Sequence, residues 1–244
     1  MEHKDIEYKC GDTVCKTTLI HNEVIREPHP GILFLPTWMG LDSFIKEKAE
    51  AYAKAGYITM TADLFGNGKV AKSPEEAGEL ILPLFLDRQL LRDRVSAALE
   101  AFSKEHLVNK KRIFVIGYCF GGLTGIELLR TGANVCGIVS IHGILGYKKG
   151  NHEAVPVPAT GTLISPMLLL HGYDDPMVSP EDLKNIQEEF TKAGIDWQLY
   201  IYGGATHGFT NPGHKSGAKD FAYNQSADYR ATKAIKNFLD EKTK

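Results

Sequence analysis

What the sequence lacks narrows it first. Only four of its 244 residues are cysteine, at 10, 15, 119 and 136, far below the density of a disulfide-stapled secreted scaffold. That scarcity points to a reduced, cytoplasmic setting. Cys10 and Cys15 can pair across a Gly11-Asp12 turn, but two free thiols suit the setting better. No apolar stretch approaches the roughly 20 residues of a membrane span, and the charged start Met1-Glu2-His3-Lys4-Asp5 holds no apolar signal core. A net charge of −2 supplies no basic field, and Lys110-Lys111-Arg112 stands alone before an apolar run, so neither membrane nor nucleic acid is an expected partner. Repeats, low-complexity tracts and linkers are missing as well, which leaves one domain. Histidine and cysteine are too scattered to form a ligand cluster, so no metal is expected.

What is present is a core. Hydrophobic residues make up 43% of the chain, enough for one large α/β domain. Ile6–Lys9 and Val14–Ile20 read as a hairpin. Gly31–Leu35, Tyr57–Thr61, Arg112–Ile116, Val135–Ile141, Pro166–Leu170 and Trp197–Tyr202 read as strands, several apolar throughout and so buried on both faces. Between them lie helical stretches. One runs from Asp42 or Ser43 to about Ala55, with Phe44, Ala51 and Tyr52 on a shared face. Others span Pro74–Phe85 and Leu86–His106, with a kink or break at Pro83, then Leu123–Thr131, Pro180–Ala193 and Asp220–Glu241. Strand–helix alternation predicts a mainly parallel twisted sheet covered on both faces, with the hairpin as an antiparallel edge.

The chain is organised around Gly117-Tyr118-Cys119-Phe120-Gly121-Gly122, which sits between a strand and a helix. That order matches a nucleophile elbow with cysteine as the reactive residue. Such a turn strains the backbone of the nucleophile, leaves no room for side chains at Gly117 and Gly121, and aims the Phe120 N–H at the atom under attack. A buried, inert cysteine in a tight turn is the competing reading. Two later strand exits supply what a thiol needs. His171-Gly172-Tyr173-Asp174-Asp175-Pro176 offers carboxylates, and Gly203-Gly204-Ala205-Thr206-His207-Gly208-Phe209 offers an imidazole. The imidazole takes the thiol proton, and the carboxylate holds its tautomer and offsets the charge that develops. Asp175 is preferred to Asp174, because it stands directly before Pro176-Met177-Val178. His207 is the expected base. His171 reads as a structural histidine bonded to loop backbone, and His142 as a satisfied, partly buried imidazole. The second oxyanion donor is expected in the loop after Gly31–Leu35, at the backbone N–H of Trp38.

In these motifs, together with Ala62-Asp63-Leu64-Phe65, the sequence resembles the dienelactone hydrolase family within the α/β-hydrolase fold, nearly end to end. The resemblance implies a cofactor-free cysteine hydrolase acting on a small ester or lactone, with Cys119, Asp175 and His207 as triad and Trp38 and Phe120 as backbone donors. It also exposes two departures. Dienelactone-cleaving members carry a glutamate that governs the resting cysteine where this chain has Thr37. They also hold the substrate carboxylate with arginines, one of them at the position of Asn211. Arg88 or Arg92 remains as a cation source, against the alternative of a solvated helix face. These departures make a neutral or aryl ester as good an expectation as a dienelactone, with phosphotriester cleavage by the same thiolate beside it. A glutamine amidotransferase also uses a cysteine elbow, but it requires a late His-x-Glu that His207-Gly208-Phe209 does not supply. A thiol sensor or ligand-binding module on the same fold is the non-enzymatic alternative.

Overall fold

Buried apolar strands with amphipathic helices between them resolve, in the computed structural model, into one eight-stranded sheet sandwiched by helices; residues 1–214 and 219–243 are described. The strands are β1 (Glu2–Cys10), β2 (Thr13–His21), β3 (His29–Leu35), β4 (Ile58–Thr61), β5 (Val108–Tyr118), β6 (Gly137–Ile141), a small outlying pair β7 (Lys148–Lys149) and β8 (His152–Glu153), β9 (Met167–Gly172) and β10 (Trp197–Tyr202). Their order across the sheet is β1-β2-β4-β3-β5-β6-β9-β10. From β4 to β10 every pairing is parallel, and β2 alone runs against its neighbours, so the hairpin forms the antiparallel edge.

Alternation along each strand builds two cores. Leu33, Leu35, Val115, Ile138, Met167 and Leu169 face one side, under α2 (Pro74–Leu86), α3 (Arg88–Ser103), α4 (Phe120–Arg130) and α5 (Pro180–Ala193). Ile32, Phe34, Phe114, Ile116, Val139 and Leu168 face the other, under α1 (Ser43–Lys54) and α6 (Gln225–Lys242). Among the described residues no helix is long and apolar enough to cross a membrane.

Several local expectations need correction. The break between the second and third helices falls at Asp87, not Pro83. Pro83 sits inside α2, while Asp87, with φ −101° and ψ 94°, closes α2 and caps α3 by accepting the Leu90 N–H at 2.9 Å. A missing N–H at proline loses one helical bond, whereas a capping carboxylate starts a new helix. The buried face of α1 is Phe44, Ile45, Ala49 and Ala53, with Ala51 exposed. The last helix begins at Gln225 rather than Asp220, because Asn224 caps it through the Ala227 N–H. Cys10 and Cys15, by contrast, are the free thiols expected.

The β6–β9 connection departs from the alternating pattern. A parallel crossover is ordinarily a helix that satisfies its own backbone. Here residues 142–166 are irregular apart from the β7–β8 hairpin, and buried arginines serve their carbonyls. Arg88 Nη2 donates to Gly146 O at 3.1 Å, and Arg92 donates to Pro158 O at 2.7 Å and Val157 O at 2.8 Å. Glu127 balances the charge, accepting from Arg92 Nε and Arg130 Nη1, each at 2.8 Å, and Arg130 also pairs with Glu189.

Candidate active site

The strand order reverses between β3 and β5, the place where open α/β sheets form a crevice beyond the strand ends. Cys119 stands at the end of β5 with φ 56° and ψ −113°, a left-handed conformation that costs a non-glycine residue about 1–3 kcal/mol. Neighbouring backbone holds it there. A Cβ on Gly117 would overlap the Gly121 carbonyl, and one on Gly121 would overlap the carbonyls of Leu35 and Pro36. The β3 exit therefore lies directly against the first turn of α4. The Cys119 N–H donates to Ile141 O at 3.0 Å, fastening the turn to β6 as well.

His207 and Asp175 arrive from β10 and β9. His207 Nε2 lies 3.0 Å from Cys119 Sγ, and His207 Nδ1 lies 2.8 Å from Asp175 Oδ2. Asp175 Oδ1 accepts the Met177 N–H at 2.8 Å, so both carboxylate oxygens are committed. The neighbouring Asp174 is exposed, and its backbone N–H bonds Ala205 O. The histidine ring is held between Phe221 and His142, with centroids at 5.4 and 5.3 Å. All three side chains are buried.

Burial alone would raise the Cys119 pKa, but the charge and hydrogen bond of His207, the Lys149 ammonium and the Phe120 N–H together hold it below the ordinary thiol value. Burial opposes the His207 cation too, yet the Cys119 thiolate and the Asp175 carboxylate push it up to about 10. The two shifts favour one state, a thiolate beside an imidazolium, and they belong to the pair rather than to either group. The Phe120 N–H faces the sulfur, and Trp38 stands in the loop after β3 and lines the cleft beside it. Phe120 opens α4, where N–H groups have no helical partner, and the Trp38 N–H has no protein acceptor among the described residues.

The other residues singled out from sequence lie elsewhere in the bonding. Thr37 accepts the Met39 N–H at 3.2 Å and closes a local turn. Asn211 folds the loop after His207, accepting the Gly213 N–H at 2.9 Å. Arg88 and Arg92 are both fully buried, which overturns the solvated helix face, and Arg92 is wholly spent on Glu127 and two carbonyls. Arg88 bonds one carbonyl and leaves Nε and Nη1 without partners among the described residues, between the Phe85 and Tyr147 rings. His142 is completely rather than partly buried. Only its Nε2 is satisfied, by Thr210 Oγ1 at 2.9 Å, while the ring packs among Tyr118, His207 and Phe209 and Nδ1 has no partner among the described residues. His171 forms no bond to loop backbone among the described residues, so packing rather than hydrogen bonding places it.

Sequence reasoning gave no role to Asp63 and did not single out Lys149. Asp63 accepts four backbone N–H groups, from Lys16, Phe65, Gly66 and Gly68, and so ties the β4 exit to β2. In the sequence it stands within the strand exit Ala62-Asp63-Leu64-Phe65, a motif that gave no role to the carboxylate. Lys149 projects into the cleft beside the site, a space of about 680 Å³ walled by Trp38, Ile81, Leu82, Phe85, Met177 and Phe221. It lies on the two-residue strand β7 within an otherwise irregular connection, with no periodicity to read.

Known proteins can now be set beside this geometry. A solved dienelactone hydrolase-like promiscuous phosphotriesterase, P91 from metagenomic libraries, is 33% identical, with a TM-score of 0.89 and 98% of each chain covered. A structure called m3DLH is 31% identical with the same TM-score and coverage, 0.89 and 98% of each chain. Carboxymethylenebutenolidase 2 of Cupriavidus pinatubonensis is 28% identical over 186 residues, 74% of this chain and 73% of that protein. The profile of the dienelactone hydrolase family matches residues 17–243, almost the whole sheet and every strand exit described above; the chain belongs to that family of α/β hydrolases.

Proposed function

We propose that the chain hydrolyses small carboxylic esters or lactones through an acyl-thioester on Cys119. The observation that carries this reading is the unbroken contact from Cys119 Sγ to His207 at 3.0 Å and from His207 to Asp175 at 2.8 Å. The thiolate attacks the ester carbonyl carbon, forming an S–C bond and moving the carbonyl π pair onto oxygen. The N–H groups of Phe120 and Trp38 receive that oxyanion; loss of one such donor typically costs about 10²–10³ in turnover. As the tetrahedral intermediate collapses, His207 Nε2 gives its proton to the departing alkoxide. Neutral His207 then takes a proton from water, whose oxygen attacks the thioester, and the carboxylic acid and thiolate are released. Asp175 keeps Nδ1 protonated throughout and offsets the imidazolium charge.

Likeness to a promiscuous phosphotriesterase at 33% identity favours a second reading, in which the same thiolate attacks phosphorus. The free thiols at 10, 15, 119 and 136 support work in a reducing compartment, with the cytoplasm as our proposal. Turnover of p-nitrophenyl esters, a lactone and a phosphotriester by wild type and Cys119→Ala tests the reading. The variant should be inactive while the wild type yields an acyl-enzyme mass adduct. Undiminished turnover by Cys119→Ala would sink the mechanism. A Cys119 that alkylates readily but hydrolyses nothing would mark a thiol sensor.

A further inference from the structure

Gly78 is a glycine that neither backbone conformation nor packing requires. It lies in the second turn of α2, a helix otherwise well begun. Ser73 caps that helix by accepting the Glu76 N–H at 3.3 Å, Pro74 opens it, and Glu75 and Glu76 place carboxylates in its first turn. A glycine within a helix forfeits stability that alanine would keep, because its backbone has more freedom to lose. The glycines inside α4 answer that loss with close approach. Added Cβ atoms at Gly121, Gly122 and Gly125 would stand 2.1, 2.5 and 3.0 Å from Leu35 O, Ser140 Oγ and Ile138 Cγ2. At Gly78 an added Cβ meets nothing within 4 Å, and the backbone is helical. Among the described residues only Gly203, in an exposed turn, is likewise free of both a close neighbour and a positive φ.

The open side of Gly78 is the cleft. Glu75, Gly78, Glu79, Leu82 and Phe85 line it at spacings of three and four, which is one face of the helix, while Ala77 and Leu84 turn to the core. Trp38, Met177 and Phe221 supply other walls, and the Phe221 ring packs on His207 at 5.4 Å, which joins this space to the triad. Helical side chains lean toward the helix N-terminus. A side chain at 78 would therefore lie over the turn that carries the exposed Glu75, in the path to Leu82 and Phe85.

We infer that Gly78 is a specificity-determining residue: it keeps α2 bare so that an apolar group of the ester, an aryl ring or an acyl chain, lies against the helix backbone and reaches the Leu82 and Phe85 wall. This rests on the ester-hydrolase reading and names its substrate class, esters with an apolar group well beyond acetyl in size. The helix gives up stability at one turn, and the cleft gains room.

Two pairs of esters test it. p-Nitrophenyl octanoate against p-nitrophenyl acetate varies the acyl side, and 1-naphthyl acetate against phenyl acetate varies the leaving side. A leucine side chain in the path of the apolar group should lower the bulky-to-small ratio of kcat/KM by about 10–100-fold in at least one pair. Gly78→Ala should lower the same ratio by about 3–10-fold, and the pair that responds assigns the cleft to the acyl or the leaving side. In calorimetry Gly78→Ala should melt about 1–4 °C above wild type, since alanine is the better helix former and the space is free. A lower melting temperature for Gly78→Ala would overturn the inference, because the fold itself would then need the glycine. Ratios that move by less than about twofold in both variants would overturn it too, whether turnover holds or falls equally on both members of each pair. Cys119→Ala run beside these variants separates the two failures. Turnover surviving there defeats the thioester mechanism, while a ratio indifferent to Gly78 defeats this inference alone.

Discussion

Glu127 is the residue whose loss should be felt furthest from its own position. Both of its oxygens are committed, to Arg92 and Arg130, and its side chain is wholly buried. Replacing it with glutamine keeps the volume but turns one oxygen into a donor that faces a guanidinium. It also leaves Arg92 without a carboxylate and Arg130 with Glu189 alone, whose side chain is 32% exposed. Breaking one partner out of a buried ionic network costs about 3–5 kcal/mol. In a chain of this size each kcal/mol moves the melting temperature by about 2–4 °C, so Glu127→Gln should melt about 6–20 °C lower by calorimetry. Glu100→Gln, which breaks an exposed i,i+4 pair with Lys104, is the control and should leave the melting temperature unchanged. A fall of less than about 2 °C in Glu127→Gln would refute the reasoning, because water or a rearranged Glu189 would then be carrying the charge balance.

Two further outcomes follow from the site. Asp175→Asn should fold normally and lose roughly 10⁴-fold in kcat, since an amide cannot stabilise the imidazolium or fix its tautomer; a loss under about tenfold would remove Asp175 from the mechanism. Thiolate absorbance near 240 nm should be present in wild type at neutral pH and in Cys119→Ala absent. The sign follows from both partners. A His207 pushed up to about 10 contributes stability fully present below its unfolded value and lost as pH rises through 10. The depressed Cys119 contributes stability present above its unfolded value and lost as pH falls through its folded one. The ion pair therefore spans neutrality, and wild-type absorbance rising only near the free-thiol pKa of about 8.5 would contradict it.

The sheet and the convergence of Cys119, Asp175 and His207 were legible for a common reason. Apolar strands that end in glycine-rich turns announce both where a strand lies and where its exit must be tight. Cys119, Asp175 and His207 each sit at such an exit. Pro83 misled because it signals a broken hydrogen bond whether or not a helix ends, while Asp87 ends one by offering an alternative partner. Arg88 and Arg92 misled for a deeper reason. On a helix their spacing looks like any solvated face, and what buries them is a distant stretch of carbonyls at 146, 157 and 158. Lys149 stayed invisible on the same account, since its position is set by those long-range bonds and not by any periodicity in its own neighbourhood.

That arginine-held crossover has a consequence for how the chain tolerates changes in length. A helical crossover is sensitive to indels, because each inserted residue turns its buried face by about 100°. The β6–β9 connection has no face to turn. It is pinned at Gly146, Val157 and Pro158, and between the first two pins the hairpin stands clear of the sheet. Residues can be gained or lost there singly, each change reshaping one wall of the cleft. The strand ends that hold Cys119, Asp175 and His207 would not register the difference.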